Sequence, residues 1–574
     1  MSAGARRHER LANLRLAVAG IAVALVWLVS SGRASAQWFG LPLLLFLVLV
    51  VLHDRVLKRT ERSRRARRIY ERGLARLDGT WASSGADGAR FVERADFAAD
   101  LDLFGAGSLF QLINTARTEV GEEVIAEWLT NGAPIDEVIA RQAAVDELRP
   151  MIEFREALAV TAADVHVGKT SALGRWAGGP APPVPGAAVV AFAGLSVVSV
   201  LLVAAALSGR MPPGLLILWL GIQVGITLLW GRRQFRALAD MDDALRDLAL
   251  LKVLLERLET QAFSSPRLTR LRDSLPADGL RASQTIAGLE RLVTALDSCR
   301  NQIVAPIAVF FQVPSLIMIA IARWRVAHGR HMAAWLRAVG EIEAFSAIST
   351  FAFEHPESPF PEVVPGAPVF DADGLAHPLI HGEVAVANDV RLGGEAPHVL
   401  MVSGSNMSGK STLLRAVGVN VVLALAGAPV RAARLRLSPL ALGVTLRIED
   451  SLQGGHSKFY AEILRLRSIV DLSRGPVPLL FLLDEILAGT NSYDRRIGAE
   501  AVIRALAGAG AIGLVTTHDL ALTELVSTLG APAANVHFED RIEDGRMVFD
   551  YRMRPGVVQR SNALELMRTI GLNV

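Results

Sequence analysis

Residues Gly404 to Thr412 read GSNMSGKST, directly after the apolar run His398-Val399-Leu400-Met401-Val402. The run has the length and composition of a buried strand, and the segment LLRAVGVNVVLALAG that follows reads as a helix. The pattern G-x-x-x-x-G-K-[ST] at a strand-to-helix junction is a phosphate-binding loop, because its amides face the ligand where the helix dipole favours an anion. Lys410 adds a positive charge to that cradle. Gly404, Ser405, Asn406, Met407, Ser408, Gly409, Lys410, Ser411 and Thr412 are therefore candidate nucleotide ligands. The nucleotide so implied is ATP or GTP.

Leu479-Leu480-Phe481-Leu482-Leu483-Asp484-Glu485 supplies a second half for this site: five apolar residues ending in adjacent carboxylates. A buried parallel strand delivers such acids at its carboxyl end, beside the phosphate loop. Acids after an apolar strand are common, and it is the pairing with the loop that gives them meaning. Asp484 can hold Mg²⁺ together with Ser411, and Glu485 can orient or deprotonate a water. Gly489-Thr490-Asn491-Ser492 forms a tight polar turn, and Leu514-Val515-Thr516-Thr517-His518-Asp519 ends another strand in a histidine. His518 is placed to sense a terminal phosphate as a neutral hydrogen-bonding group. Lys410, Glu485 and His518 are the candidate catalytic residues.

The rest of the chain does not look like an ordinary soluble enzyme. Hydrophobic residues make up 51 % of it, and 60 basic residues nearly cancel 57 acidic ones to leave +3. Overall charge thus gives no argument for nucleic acid, although the calculated isoelectric point is alkaline. The single cysteine, Cys299, excludes an internal disulfide framework and a cysteine metal cluster, which suits a reducing cytosol.

Two apolar stretches, Leu16 to Ser30 and Trp38 to Leu52, are each near the lower limit for a membrane-spanning helix. Arg6, Arg7, Arg10 and Arg15 precede them, Arg33 alone lies between, and a basic series from Arg55 to Arg68 follows. The positive-inside rule makes this a helical hairpin with both ends in the cytoplasm. The rival reading is a signal peptide cleaved after Ala34-Ser35-Ala36. It would leave the second apolar run and its basic stop without a role, and export would strand a nucleotide-dependent enzyme. A second pair, Val189 to Leu207 and Leu215 to Trp230, repeats the hairpin and is followed by Arg232, Arg233 and Arg236. The Pro-rich stretch Pro180 to Pro185 introduces it as a domain junction. Ile303 to Ile321 is also apolar, but Pro306, Gln312 and Pro314 interrupt it, and it reads as a buried or membrane-adjacent helix. Four spans are expected, in a cytoplasmic (inner) membrane, with the nucleotide-binding part in the cytoplasm.

Between the hairpins, Asp100 to Arg149 has helical spacing and short-helix punctuation. Leu245, Leu248, Leu251, Leu255 and Leu258 mark a longer amphipathic helix, an extended lever or coiled segment whose stripe reads as ordinary core rather than a partner-binding surface. From His398 onward strand-like runs alternate with helices, the pattern of an α/β nucleotide-binding domain, and VHFEDRIEDGRMVFDY reads as a closing hairpin before a terminal helix. The expected organisation is residues 1–68, a transmembrane hairpin and basic linker; 69–180, a helical core; 181–235, the second hairpin; 236–370, a helical lever region; and 371–574, the nucleotide-binding domain.

SGSNMSGKSTLLRA, LLFLLDEILAGTNSYD and VTTHD together closely resemble the MutS family of ATPases. His377-Pro378-Leu379-Ile380, Asn388-Asp389 and Ser457-Lys458-Phe459-Tyr460-Ala461-Glu462 extend the likeness over about 375 to 571. Upstream, DLFGAGSLFQLINTART and MAAWLRAVGEIEAFSAIS are similar to that family's helical core and lever. The resemblance implies a P-loop NTPase fold of the ABC/MutS type, use of ATP and Mg²⁺, and a head-to-tail homodimer in which Ser457 reaches the γ-phosphate held by the partner copy's loop. ATP would then act as adhesive, and its hydrolysis would move the attached helices.

Departures from the family bear on the role. Only about a hundred residues precede the helical core, too few for a mismatch-reading domain, and Phe91-Val92-Glu93 resembles the mismatch wedge only superficially. Ala385 and Val386 stand where the family commonly offers an aromatic to stack on adenine. The second membrane hairpin occupies the place of the DNA clamp. Three readings follow: a membrane-tethered MutS-like ATPase whose lever acts near the membrane, direct DNA binding with Arg55 to Arg68 as contact, and a transporter-type ATPase. The basic stretch is more simply a topology signal or a contact for anionic lipid. QGGHSKF differs from the signature expected of a transporter.

Overall fold

A computed structural model describes residues 3–31, 35, 38, 40–162, 170–179, 185–239, 242–446, 458–529, 532–543 and 546–558. Ser457, Arg33, the residues 561–574 expected to form the terminal helix and most of the Pro-rich junction lie outside them. The chain divides into two compact units, 1–75 and 76–574.

The first unit is made of α1 (Ala3–Ser30) and nearly all of α2 (Gly40–Leu77). Asn13–Ser30 in α1 is long and apolar enough to cross a membrane. The expected second span occupies only the start of α2: after Leu52 the same helix runs on through the basic series. That series is therefore helical rather than a loose linker. Lys58 pairs with Asp54, Arg65 with Glu61 and Arg67 with Glu71, all one turn apart.

The second unit begins with a helical region of α3 (Leu109–Ile113), α4 (Glu119–Thr130), α5 (Ile135–Leu148), α6 (Ile152–Ala162) and α7 (Thr170–Gly178). Ser108 and Thr118 cap α3 and α4 by accepting from Gln111 and Gly121 amides. Next come α8 (Gly186–Leu207) and α9 (Gly214–Ala239), then α10 (Asp242–Thr260), α11 (Pro266–Asp273), α12 (Ala282–Ser298), α13 (Val304–Phe310) and α14 (Val313–Glu354). The leucine stripe of α10 is core: Leu248, Leu251, Leu255 and Leu258 are buried against α12 and its neighbours. Phe91 is core as well, ringed by Phe104 and Phe110, so no wedge is presented there.

Among the described residues, α8 and the α1 segment are the helices long and apolar enough to cross a membrane, or three spans if α13 and α14 count as one bent element. The apolar part of α9, Gly214–Trp230, is shorter. Ile303 to Ile321 is not one helix: α13 and α14 meet at 74°. Gln312 sits at the break with φ +53, and Pro314 occupies the first turn of α14, where its missing N–H does no harm.

Two sheets complete the fold. The smaller has strand order β1 (Glu362–Val363), β5 (Arg434–Leu437), β2 (Val369–Leu375), β3 (Asn388–Gly393). The larger runs β10 (Arg546–Pro555), β9 (Ala533–Glu543), β4 (Val399–Ser403), β8 (Ile512–Thr517), β7 (Leu479–Leu483), β6 (Ala441–Thr445), all parallel except β10. The expected closing hairpin is thus part of the sheet, with β9 beside β4. Helices α15 (Lys410–Ala426), α16 (Lys458–Leu472), α17 (Ser492–Gly508) and the short α18 (Leu520–Thr523) connect these strands. One face of the sheet shares a continuous core with the helical region, from Leu101 through Phe345 to Val417 and Leu482. The other face buries Val399, Met401, Phe481 and Leu483 under Leu466, Ile503 and Leu506.

Candidate functional site

β4, β8 and β7 are neighbours and parallel, so their carboxyl ends lie together, and this is where the sequence-selected residues meet. Each strand is buried along its length because both faces of the sheet are covered. β4 turns into the loop at Gly404, whose φ is +151 and whose Cβ would stand 3.0 Å from the Phe538 carbonyl oxygen. Gly409, at φ +104, opens α15, and a Cβ there would meet the Tyr551 ring at 3.1 Å. Neither position accommodates a side chain.

Lys410 is buried, and its Nζ donates to the carbonyl oxygens of Gly404 at 2.9 Å and Ser405 at 2.8 Å. Burial lowers its pKa below the ordinary lysine value, while the nearby Glu485 and Asp484 carboxylates oppose the shift. Ser411 Oγ donates to Asp484 Oδ2 at 2.6 Å. Thr516, on the strand between, donates to the other Asp484 oxygen and accepts from the Glu485 amide at 3.0 Å. Serine from the start of α15, aspartate just past β7 and threonine from β8 are locked together. Glu485 itself has φ +48, a left-handed backbone that a non-glycine residue holds only when its surroundings impose it. Its carboxylate lies 3.4 Å from His518 Nδ1, and both side chains remain accessible.

Beyond Glu485 the chain is held from two directions. The Leu487 amide donates to the buried Glu462 of α16. Arg495 of α17 donates to the carbonyl oxygens of Leu487, Ala488 and Thr490. Asn491 caps α17 by accepting from the Asp494 amide at 2.9 Å. The polar turn is therefore a fixed shelf.

A cavity of about 820 Å³ opens beside these groups. Lys410, Ser411, Asp484 and Glu485 supply its charged and polar lining, Leu375, Ile380, Val384 and Ala385 supply apolar lining, and the Tyr551 ring lines it beside Gly409. Thr445 Oγ1, buried in the wall, has no hydrogen-bond partner among the described residues. Sequence reasoning missed Tyr551. Its only signal was an aromatic in the closing hairpin, and what brings it here is Asn388, which donates to the Tyr551 carbonyl at 3.0 Å and accepts from the Met553 amide at 2.7 Å. Thr516 was missed too, since a threonine inside an apolar strand has no distinctive spacing.

The helical region reaches this site through Asp100. Its carboxylate accepts from the Leu446 amide at 3.1 Å and from Arg465 at 3.4 Å, while Arg415 of α15 donates to its carbonyl oxygen at 3.1 Å. Ser457, expected to act in trans, lies outside the described residues.

A mixed α/β sheet with acidic strand ends beside a glycine-rich, lysine-bearing helix start defines the class: an α/β domain attached to a large helical region. Residues 400–573 match MutS domain V. The chain is 30% identical over 311 residues to the DNA mismatch repair protein MutS of Brevibacillus brevis, covering 51% of this chain and 34% of that protein. It is 32% identical over 306 residues to the DNA mismatch repair protein MutS 2 of Halobacterium salinarum, covering 52% and 34%. Through this carboxyl-terminal domain the chain is a MutS-family protein. It spans about a third of the length of the curated relatives it matches.

Proposed function

We propose that the chain is a membrane-anchored, Mg²⁺-dependent ATPase of the MutS kind, working as a homodimer of P-loop domains. The observation that carries this reading is the meeting of Lys410, Ser411, Asp484, Glu485 and His518 at three neighbouring strand ends beside one nucleotide-sized cavity. The residues fit the missing groups: a glycine cradle without room for Cβ atoms, a buried lysine, a hydroxyl–carboxylate pair, and the orphaned Thr445 hydroxyl in the wall.

Ser411 and Asp484 would hold Mg²⁺, which when bound neutralises charge on the phosphate oxygens. Lys410 exchanges the Gly404 and Ser405 carbonyls for phosphate oxygens. Glu485, fixed through its amide by Thr516, aligns water and accepts its proton, and His518 beside it contacts the terminal phosphate. The apolar part of the lining receives the base, with Tyr551, beside the loop, in the role that Ala385 and Val386 cannot fill. Gly404, Ser405, Asn406, Met407, Ser408, Gly409 and Thr412 surround the phosphates, and Ser457 completes the site of the partner copy.

Both hairpins would sit in a cytoplasmic (inner) membrane as four spans with the ATPase domain inside, a reading supported by the apolar α1 segment, α8 and the flanking arginines. The relatives' names make DNA the first target to test, with lipid as the second partner of α2. A transporter-like ATPase is the alternative. Purified protein should bind ATP with Mg²⁺, and Glu485→Ala should form an ATP-dependent dimer by light scattering. Absence of Mg²⁺-dependent affinity for adenine nucleotides overturns the ATPase, and unchanged turnover in Glu485→Ala overturns the role of that residue. Salt-dependent DNA binding by the detergent-solubilised protein separates the targets: no affinity at low salt removes DNA.

A further inference from the structure

Around α8 and α9 the usual arrangement of side chains is inverted. Leu201, Leu207, Ile217, Leu218 and Leu229 point outward, whereas Ser199, Gln223 and Gln312 are fully buried. The buried groups form one network. Gln312 donates to the Gln223 carbonyl at 3.0 Å and its Oε1 at 2.6 Å, and accepts from Thr227 at 3.2 Å and Ser315 at 2.7 Å. Trp219 and Gln223 donate to Ser199 at 2.8 and 3.2 Å. The single hydroxyl hydrogens of Ser199 and Ser196 are shared between the Leu195 and Phe192 carbonyls of their own helix, at 3.0 and 2.9 Å, and the nearer Phe310 and Phe311 carbonyls, at 2.7 Å each, which lie at the break between α13 and α14.

We infer that α13 and the opening turns of α14 form a re-entrant element that enters the lipid bilayer and returns on the same side, a third component of the second hairpin. The inference rests on the membrane reading of α8 given above. Ser196 and Ser199 lie midway along the 22-residue α8, so a break capped by them lies within the bilayer if α8 crosses it. In hydrocarbon a broken helix persists only where protein satisfies the opened carbonyls, and here it does. The outer surface of α13 is apolar: Ile303 is 81% exposed and Ile307 61%, next to the exposed apolar faces of α8 and α9. The occupant of that surface is lipid, since any aqueous position would leave these side chains against water. Return to the same side follows from packing: α12 before the element and α14 after it lie against each other in the main core, where Trp324 Nε1 donates to the Thr285 carbonyl at 3.0 Å. Arg300 and Arg323 flank the apolar stretch.

The test uses the full chain in a Cys299→Ser background, reconstituted in phosphatidylcholine–phosphatidylglycerol vesicles. Single cysteines at Leu201, Ile307 and Leu280 carry an environment-sensitive fluorophore, and the quencher is a lipid with a nitroxide on its acyl chain. Loss of fluorescence at both Leu201→Cys and Ile307→Cys, with Leu280→Cys unquenched, is the expected result. Quenching at Leu201→Cys alone overturns the re-entrant element and leaves the anchor standing; quenching at neither removes both. A membrane-impermeant maleimide should label native Cys299 and, in the Cys299→Ser background, Arg323→Cys from the same face. Labelling from opposite faces makes the element a true span and overturns re-entry.

Discussion

The two ends of the second unit solve opposite problems with the same residue types. At the strand ends, serine, threonine and carboxylates surround an accessible cavity and hold one another in place beside it. At the α8–α9–α13 cluster, serine, threonine and glutamine turn inward and leave nothing unsatisfied, while leucine and isoleucine face out. The first pattern is readable as chemistry because its polar groups have spare capacity. The second is readable as solvent adaptation because its polar groups are turned on one another. Buried polar side chains therefore indicate function only after their hydrogen bonds have been counted.

Substitutions can test that contrast, beginning with the largest effect. Lys410→Ala should weaken ATP binding by about 1,000-fold or more, read by calorimetry, because a buried cation serving phosphates has no substitute. Glu485→Ala should keep nucleotide affinity and lower turnover by about 100- to 10,000-fold, the usual range for a lost general base; equal losses in binding and rate would show that it shapes the cavity instead. Glu343 of α14 offers a third effect. Burial raises its carboxyl to about 7 although Thr118 and the Arg117 amide donate to it. The folded state therefore keeps its proton where the unfolded chain, near 4.5, has lost it, so this contribution is complete below pH 4.5 and is lost as pH rises through 7. Glu343→Gln should remove that loss, up to about 3 kcal/mol at pH 8 in denaturant melts. His377, which burial pushes down to about 4, acts with the opposite sign, losing stability as pH falls from 6.5 to 4.

Gln312→Leu should come next, destabilising the solubilised protein by about 2 kcal/mol through the partners it leaves unpaired, with no change in ATP affinity. A matching drop in affinity would show that the two ends are not energetically separate. Tyr551→Ala is the smallest: a loss of about 1 kcal/mol in ATP affinity, with turnover at saturation preserved.

Much of the candidate site was legible in the sequence because the phosphate-loop pattern sets glycines, a lysine and a hydroxyl at fixed spacing within a few residues. Asp484, Glu485 and His518 could be read because five- and six-residue apolar strands announce where a buried sheet ends. The contribution of Tyr551 could not, since it depends on Asn388 joining two strands distant in the chain. The small sheet escaped notice because its strands mix charged and apolar residues, as in VFDADGL and NDVRLG, and β9 and β10 read as a closing hairpin because local alternation does not say which strand a hairpin will lie beside. In the helical region, Leu248 to Leu258 showed an amphipathic period, and packing against α12 bears out the reading of that stripe as core. The interruption by Pro306, Gln312 and Pro314 was visible, whereas the serines on α8 that make it tolerable were not.

α14 carries one further consequence. The helix is seated so tightly on α4 that a Cβ at Gly340 would fall 2.7 Å from the Val120 carbonyl oxygen, and from there it continues unbroken back to Val313. That arm is roughly 40 Å long at 1.5 Å per residue, so each degree of tilt about the seat sweeps its far tip by roughly 0.7 Å. Trp335 and Trp324, which donate to the Leu275 and Thr285 carbonyls, tie the arm down along the way, so the glutamine joint is held in register with the core by one continuous rod.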